Sequence, residues 1–239
     1  MIEFSNYRFS LFLLALAMAS AGGKVRAQEN VLGASSATVV LNRKQATKLL
    51  ISQLTPDYPP VAKVNYLVGH VQVLLTVDGE GKVANAHVLG GNAVLAASAL
   101  KATRQWVYHP LVTPAGPSAF MTTVEVKFIM DFRDADLTPQ QAERDFLRSV
   151  KPPQVVRPEA DPPSDDVLHL HLLVNDQGEV DDLGISPVSG AQLEAAREAL
   201  RGWTFRPAHW GTLPIASYLD VEVPLSAPSL ARAAVSGNL

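Results

Sequence analysis

Cysteine is absent from the 239-residue chain. That excludes disulfide frameworks, thiolate metal sites and thiol nucleophiles. Neither sign of charge is in large excess: 20 basic side chains face 23 acidic ones, a net charge of −3. The chain therefore has no basic footprint for nucleic acid. Long apolar runs are also lacking, apart from one between Phe9 and Ala21, which is short of the roughly 20 residues that cross a bilayer. No nucleophile elbow, phosphate-binding loop, dinucleotide fingerprint or zinc-protease motif occurs. Ser, His and Asp are present, but no spacing ties them into a triad. The sequence thus offers no catalytic residue, no metal site and no cofactor site, and an enzyme is not expected. What remains is 47 % apolar and 18 % charged, the balance of a folded chain.

Arg8 precedes the apolar run, and the small-residue patterns Ala19-Ser20-Ala21 and Val25-Arg26-Ala27 follow it. This order reads as a secretory signal peptide over residues 1–27, cleaved before Gln28. The expected location is the periplasm. The competing reading is an uncleaved inner-membrane anchor with the remainder facing the periplasm.

A repeat organises the rest. At an offset of 97 residues, Val71, Val73, Leu75 and Val77 align with Leu168, Leu170, Leu172 and Val174. At the same offset Gly81-Lys82-Val83 meets Gly178-Glu179-Val180, Trp106-x-Tyr108-x-Pro110 meets Trp203-x-Phe205-x-Pro207, and Val124-Glu125-Val126 meets Val221-Glu222-Val223. Each copy opens with period-two alternation, so one strand face is buried. A Gly-bearing turn leads to a second strand. Alanine-rich spacings of three and four then predict a helix with one apolar stripe, and a last strand follows. The order β-β-α-β predicts an α+β fold: two tandem units, each a small antiparallel sheet with a helix packed on one face.

The expected boundaries are 28–53 for an N-terminal segment with a helix from Asn42 to Leu54, 54–130 for the first unit and 131–166 for a linker. That linker starts a helix at Thr138-Pro139-Gln140-Gln141 and continues as a proline-rich stretch. Residues 167–226 are the second unit and 227–239 a tail.

Tyr58-Pro59-Pro60-Val61-Ala62, Gly69-His70-Val71-Gln72-Val73, Asp78-Gly79-Glu80-Gly81-Lys82-Val83, the helix with Leu95, Ala99 and Ala102, and Trp106-x-Tyr108-x-Pro110 closely resemble the TonB C-terminal domain pattern. Residues 167–226 keep the turn, helix and Trp-x-Phe-x-Pro parts but lack the Tyr-Pro lead-in. The resemblance implies a non-catalytic envelope module that binds a protein or peptide segment, such as part of an outer-membrane transporter, by adding a strand to a sheet edge. A membrane-anchored energy transducer supporting outer-membrane transport is the alternative it implies. The apolar run carries no histidine of the kind a TonB anchor bears. The two units pack their open sheet faces together or onto a second chain as a homodimer; the residues leave both open.

The expected partner-binding edge is the last strand of the first unit: Thr122, Thr123, Val124, Glu125, Val126, Lys127 and Phe128. It contains no proline, whereas Pro224 stands where Lys127 does and removes a ladder donor from the second copy. Proline and charge are ways to blunt an edge, so solvated, protective Glu125 and Lys127 are the plainer reading. His169 and His171 share one strand face, but no third metal ligand is evident. Asn175-Asp176-Gln177-Gly178 lacks calcium-loop spacing and reads as a turn. Trp106 and Trp203 are expected in the cores. Trp210 has no aromatic counterpart and is the freer interface candidate.

Overall fold

Period-two burial becomes real geometry in the first long strand. In the computed structural model, which describes residues 38–130, 138–156, 167–184 and 190–224, Val71, Val73, Leu75 and Val77 are all buried while His70 and Gln72 are exposed. The expected signal peptide and tail, and much of the proline-rich linker, lie outside the described residues. All described residues fall in one compact unit spanning 36–239.

The principal elements are β1 (Val39–Val40), α1 (Arg43–Leu49), α2 (Pro60–Val64), β2 (Gly69–Val77), β3 (Val83–Gly90), α3 (Ala93–Thr103) and β4 (Phe120–Phe128). They continue with α4 (Pro139–Ser149), β5 (Val167–Val174), β6 (Val180–Asp182), α5 (Gly190–Leu200) and β7 (Ser217–Pro224). The first sheet has the order β1-β4-β2-β3, and a second has the order β6-β5-β7. Helix α3 starts because the Asn92 side chain accepts from Val94 N–H, satisfying one of the donors a helix start leaves orphaned. It packs on the first sheet through Ala96, Ala99 and Leu100, each fully buried, and small side chains permit that close approach.

The same backbone pattern recurs after 97 residues. Val71 pairs with Val126 and Val73 with Val124; Leu168 pairs with Val223 and Leu170 with Val221. The Asp78 carboxylate accepts from Glu80 and Lys82 N–H, as the Asn175 side chain does from Gln177 and Glu179 N–H. Gly81 takes a left-handed φ of 87° and Gly178 one of 81°. Trp106 and Tyr108 are buried beside the first sheet, Trp203 and Phe205 beside the second. The hairpin Leu111–Thr113 with Gly116–Ser118 has its counterpart in Ala208–Trp210 with Leu213–Ile215.

Helix α1 has the capping box of Asn42 and Gln45, but it ends at Leu49 rather than continuing to Leu54. Leu50–Ser52 turn extended and pair with Val107–Tyr108, so ladder hydrogen bonds replace the helical ones. Thr138 caps α4 with Gln141 in the expected capping box, with proline in the first turn.

The halves meet neither face to face nor as separate bodies. Leu173 and Tyr218, from the face of β5 and β7 opposite their core, join Ala208, Ile215 and Trp210 against the first core. Trp210 is thus partly buried, packed against the first core. The Tyr218 hydroxyl donates to Gly91 O at 3.0 Å. Asp182 is buried: its carboxylate accepts from Val88 N–H at 2.6 Å and from Gly184 N–H at 3.1 Å, and lies 2.8 Å from His87 Nδ1. It closes the β3 edge of the first sheet.

Candidate functional site

The opposite edge of the first sheet belongs to β4, and the sequence decides what each of its residues offers. Side chains alternate across a strand. Thr122, Val126 and Phe128 are buried toward α3, and Val124 is half-buried on the same face. Thr123 and Lys127 are exposed, with Glu125 partly so, on the other face. Of the seven predicted edge residues, four thus serve the core through their side chains and three face outward.

The backbone has its own alternation. Leu41 N–H donates to Met121 O at 2.9 Å and Val39 N–H to Ala119 O at 3.4 Å. Met121 therefore turns its peptide groups away from β2, and period two places those of Thr123, Glu125 and Lys127 on the same outer side. Among the described strands, none lies beside that stretch. No described strand pairs with residues 123–127, although α1 lies against β4, and just before them β1 runs parallel to β4 with Val39 opposite Phe120 and Val40 opposite Met121. That pairing precedes the edge expected from the sequence, residues 122–128.

Side chains absent from the sequence-based site frame this edge. Arg43, at the start of α1, pairs with Glu125 at 3.0 Å. His70 Nδ1 bonds the same carboxylate. The His70 hydrogen bond and, after it, the Arg43 one hold the Glu125 carboxyl below its usual range. Asn42 and Arg43, with Val40 and Leu41, form one wall of a groove of about 360 Å³ whose floor includes Gln72, Leu74 and Thr123. Arg43 and His70 lie 82 and 55 residues from Glu125 in sequence, beyond the reach of any local pattern. The short apolar run Val39-Val40-Leu41 before the Asn42 cap is the one local signal of β1.

The β7 edge differs. Pro224 stands opposite Val167, at the position matching Lys127, and presents a donor-free position outward. His169 and His171 face their cross-strand carboxylates: Glu222 at 3.7 Å and Asp220 at 2.6 Å. The Tyr218 ring stacks on His171 with centroids 4.6 Å apart, and burial pushes its hydroxyl pKa up to about 12. Among the described residues, no three His, Asp or Glu side chains are grouped to hold a metal. The Asn175 turn is closed by its own backbone donors, and burial raises Asp181 beside it. Among the described residues no helix is long and apolar enough to cross a membrane.

Residues 55–130 match the model of the Gram-negative bacterial TonB protein C-terminal family. Among solved structures, a solution NMR structure of the Pseudomonas aeruginosa TonB CTD is similar at 23 % identity, covering 35 % of this chain and 87 % of that one, with a TM-score of 0.31. No curated protein matches.

Proposed function

We propose, from the match of residues 55–130 to the Gram-negative bacterial TonB protein C-terminal family, that the chain is an exported, non-catalytic periplasmic module that recognises a partner segment by strand addition. The binding edge is residues 122–128, and residues 167–226 form a second, degenerate domain of the same kind. The partner is an envelope protein or peptide segment, such as part of an outer-membrane transporter. One observation carries this reading: Thr123, Glu125 and Lys127 turn backbone donors and acceptors outward with no described strand beside them. Backbone pairing supplies affinity in such complexes, and alternate side chains supply selectivity.

The test places a photo-crosslinking residue at Thr123 and, as a control, at Val112, an exposed hairpin residue. Strand addition predicts a specific envelope adduct at Thr123 alone. Lys127→Pro, which removes one outward donor while leaving the β2 ladder intact, is expected to weaken that adduct about tenfold. No adduct at Thr123, or one indifferent to Lys127→Pro, counts against the reading. N-terminal sequencing reports on export: a mature chain starting at Gln28 supports a signal peptide, and an intact membrane-bound N-terminus supports the energy-transducer alternative.

A further inference from the structure

The open face of the second sheet carries two imidazoles that neither the fold nor strand addition employs. We propose that His169 and His171 chelate a divalent first-row transition ion, copper before zinc, with water filling the remaining positions. The inference stands apart from the strand-addition reading and from the β4 edge.

Four observations support the site. First, period two puts both imidazoles on one face of β5, with side chains 76 % and 56 % exposed, while Leu168, Leu170 and Leu172 are buried on the other. Residues two apart on a strand have Cα atoms about 6.6 Å apart, a span that two imidazole arms bridge around one ion. Second, the rings are set as metal ligands are. His171 Nδ1 lies 2.6 Å from the Asp220 carboxylate. An ionised carboxylate only accepts, so Nδ1 carries the hydrogen and Nε2 keeps the lone pair. The Tyr218 ring stacks on His171 with centroids 4.6 Å apart, which fixes the imidazole plane. Glu222 stands 3.7 Å from His169 Nδ1 in the same relation. A carboxylate behind an imidazole sets its tautomer and strengthens it as a donor. Third, the fold does not require histidine at these places. Gln72 and Leu74 hold them in the first copy, on a strand paired in the matching register. Fourth, a groove of about 340 Å³ lies over the pair and its two carboxylates, which leaves room for a hydrated ion. Imidazole nitrogen suits copper, nickel and zinc, copper most tightly, whereas magnesium and calcium call for oxygen ligands. Among the described residues no three His, Asp or Glu side chains group around one ion. Water therefore completes the coordination, and the site is an open, exchanging one rather than a closed structural one.

The absence of cysteine removes thiolate binding from the test. The full-length chain, made without a histidine tag, is dialysed to equilibrium against Cu2+, Zn2+ or Mg2+. One Cu2+ per chain is expected, held at least about tenfold more tightly than Zn2+, with Mg2+ not retained. His169→Gln and His171→Gln alter exposed side chains, and each is expected to weaken Cu2+ binding at least about tenfold, because each removes one of the two ligands. Asp220 is a positioning residue, and Asp220→Asn is expected to cost about tenfold with both ligands still present. His109→Gln, at an exposed histidine of the first half, is expected to change nothing. Saturating Cu2+ should also raise the unfolding midpoint of the unaltered chain and leave that of the double variant His169→Gln/His171→Gln where it was. Failure to retain Cu2+ overturns the site. Equal retention by the double variant means an adventitious ion elsewhere and overturns it too. Loss with only one of the two single variants reduces the pair to a lone imidazole and overturns the chelate.

Discussion

Gly81 shows how one missing side chain fixes a turn. An added Cβ would stand 1.9 Å from the Tyr108 carbonyl oxygen, on a backbone already at a φ of 87°. The carbonyl it would strike is backbone and cannot swing aside, so Gly81→Ala is expected to destabilise the fold by about 3 kcal/mol in urea unfolding. Gly116 has a φ of 110° but nothing within 4 Å of its added Cβ, so Gly116→Ala should cost about 1 kcal/mol, from backbone strain alone. Thr122 presents the opposite case. Its hydroxyl is buried without a partner among the described residues. The isosteric Thr122→Val should stabilise by about 1 kcal/mol, because a buried polar group left unpaired costs more than an apolar one; a lower urea midpoint would refute this. The hydrogen bond with His70 holds the Glu125 carboxyl below the usual glutamate value of 4.5. A lowered carboxyl contributes stability that is present above 4.5 and is lost as pH falls through the lower folded value. His70→Ala should raise the Glu125 pKa back toward 4.5, as followed by NMR of its carboxyl carbon.

How far the elements were legible depends on whether a local pattern produces them. The burial of β2 follows from alternation, and α3 and α4 from their caps and apolar spacing, because those signals lie within a few neighbouring residues. Strand β1 is two residues long, too short for any period to show. The end of α1 at Leu49 is set by a tertiary pairing with Val107–Tyr108, which overrides a helical run that looks good locally. The same limit explains the site. The seven residues of the edge were readable because one strand holds them, but Arg43 and His70 reach Glu125 only through the register of β2 on β4 and the placement of α1. Pro224 is the converse, a single residue whose chemistry states its edge position without help from the fold. At the α3 contact, Ala99 is fully buried against the sheet. Ala99→Leu should therefore lower stability by about 2 kcal/mol through overpacking, whereas a free helix would gain nothing and lose nothing.

The molecule as a whole answers whether a repeated sequence makes two independent bodies. Among the described residues there are two hydrophobic clusters, yet the first takes Leu173, Ala208 and Ile215 from beyond the linker together with Phe146 of α4. A core completed by both halves cannot lose one half without exposing apolar surface of the other, so their unfolding should be coupled. Calorimetry of the full chain is expected to give one transition with equal calorimetric and van't Hoff enthalpies. Asp182 is the polar pin of that contact. Asp182→Ala strands the Val88 N–H, held at 2.6 Å, and the His87 imidazole, held at 2.8 Å. Leaving buried donors unmet should cost about 3 kcal/mol, lowering the single transition by about 8 °C for a chain of this size. Two resolved transitions in the unaltered protein would mean that the shared core does not couple the halves. If instead Asp182→Ala splits one transition into two, the coupling is real and runs mainly through this carboxylate rather than through the apolar contact, and the closed β3 edge would then be the weak seam at which the repeat comes apart.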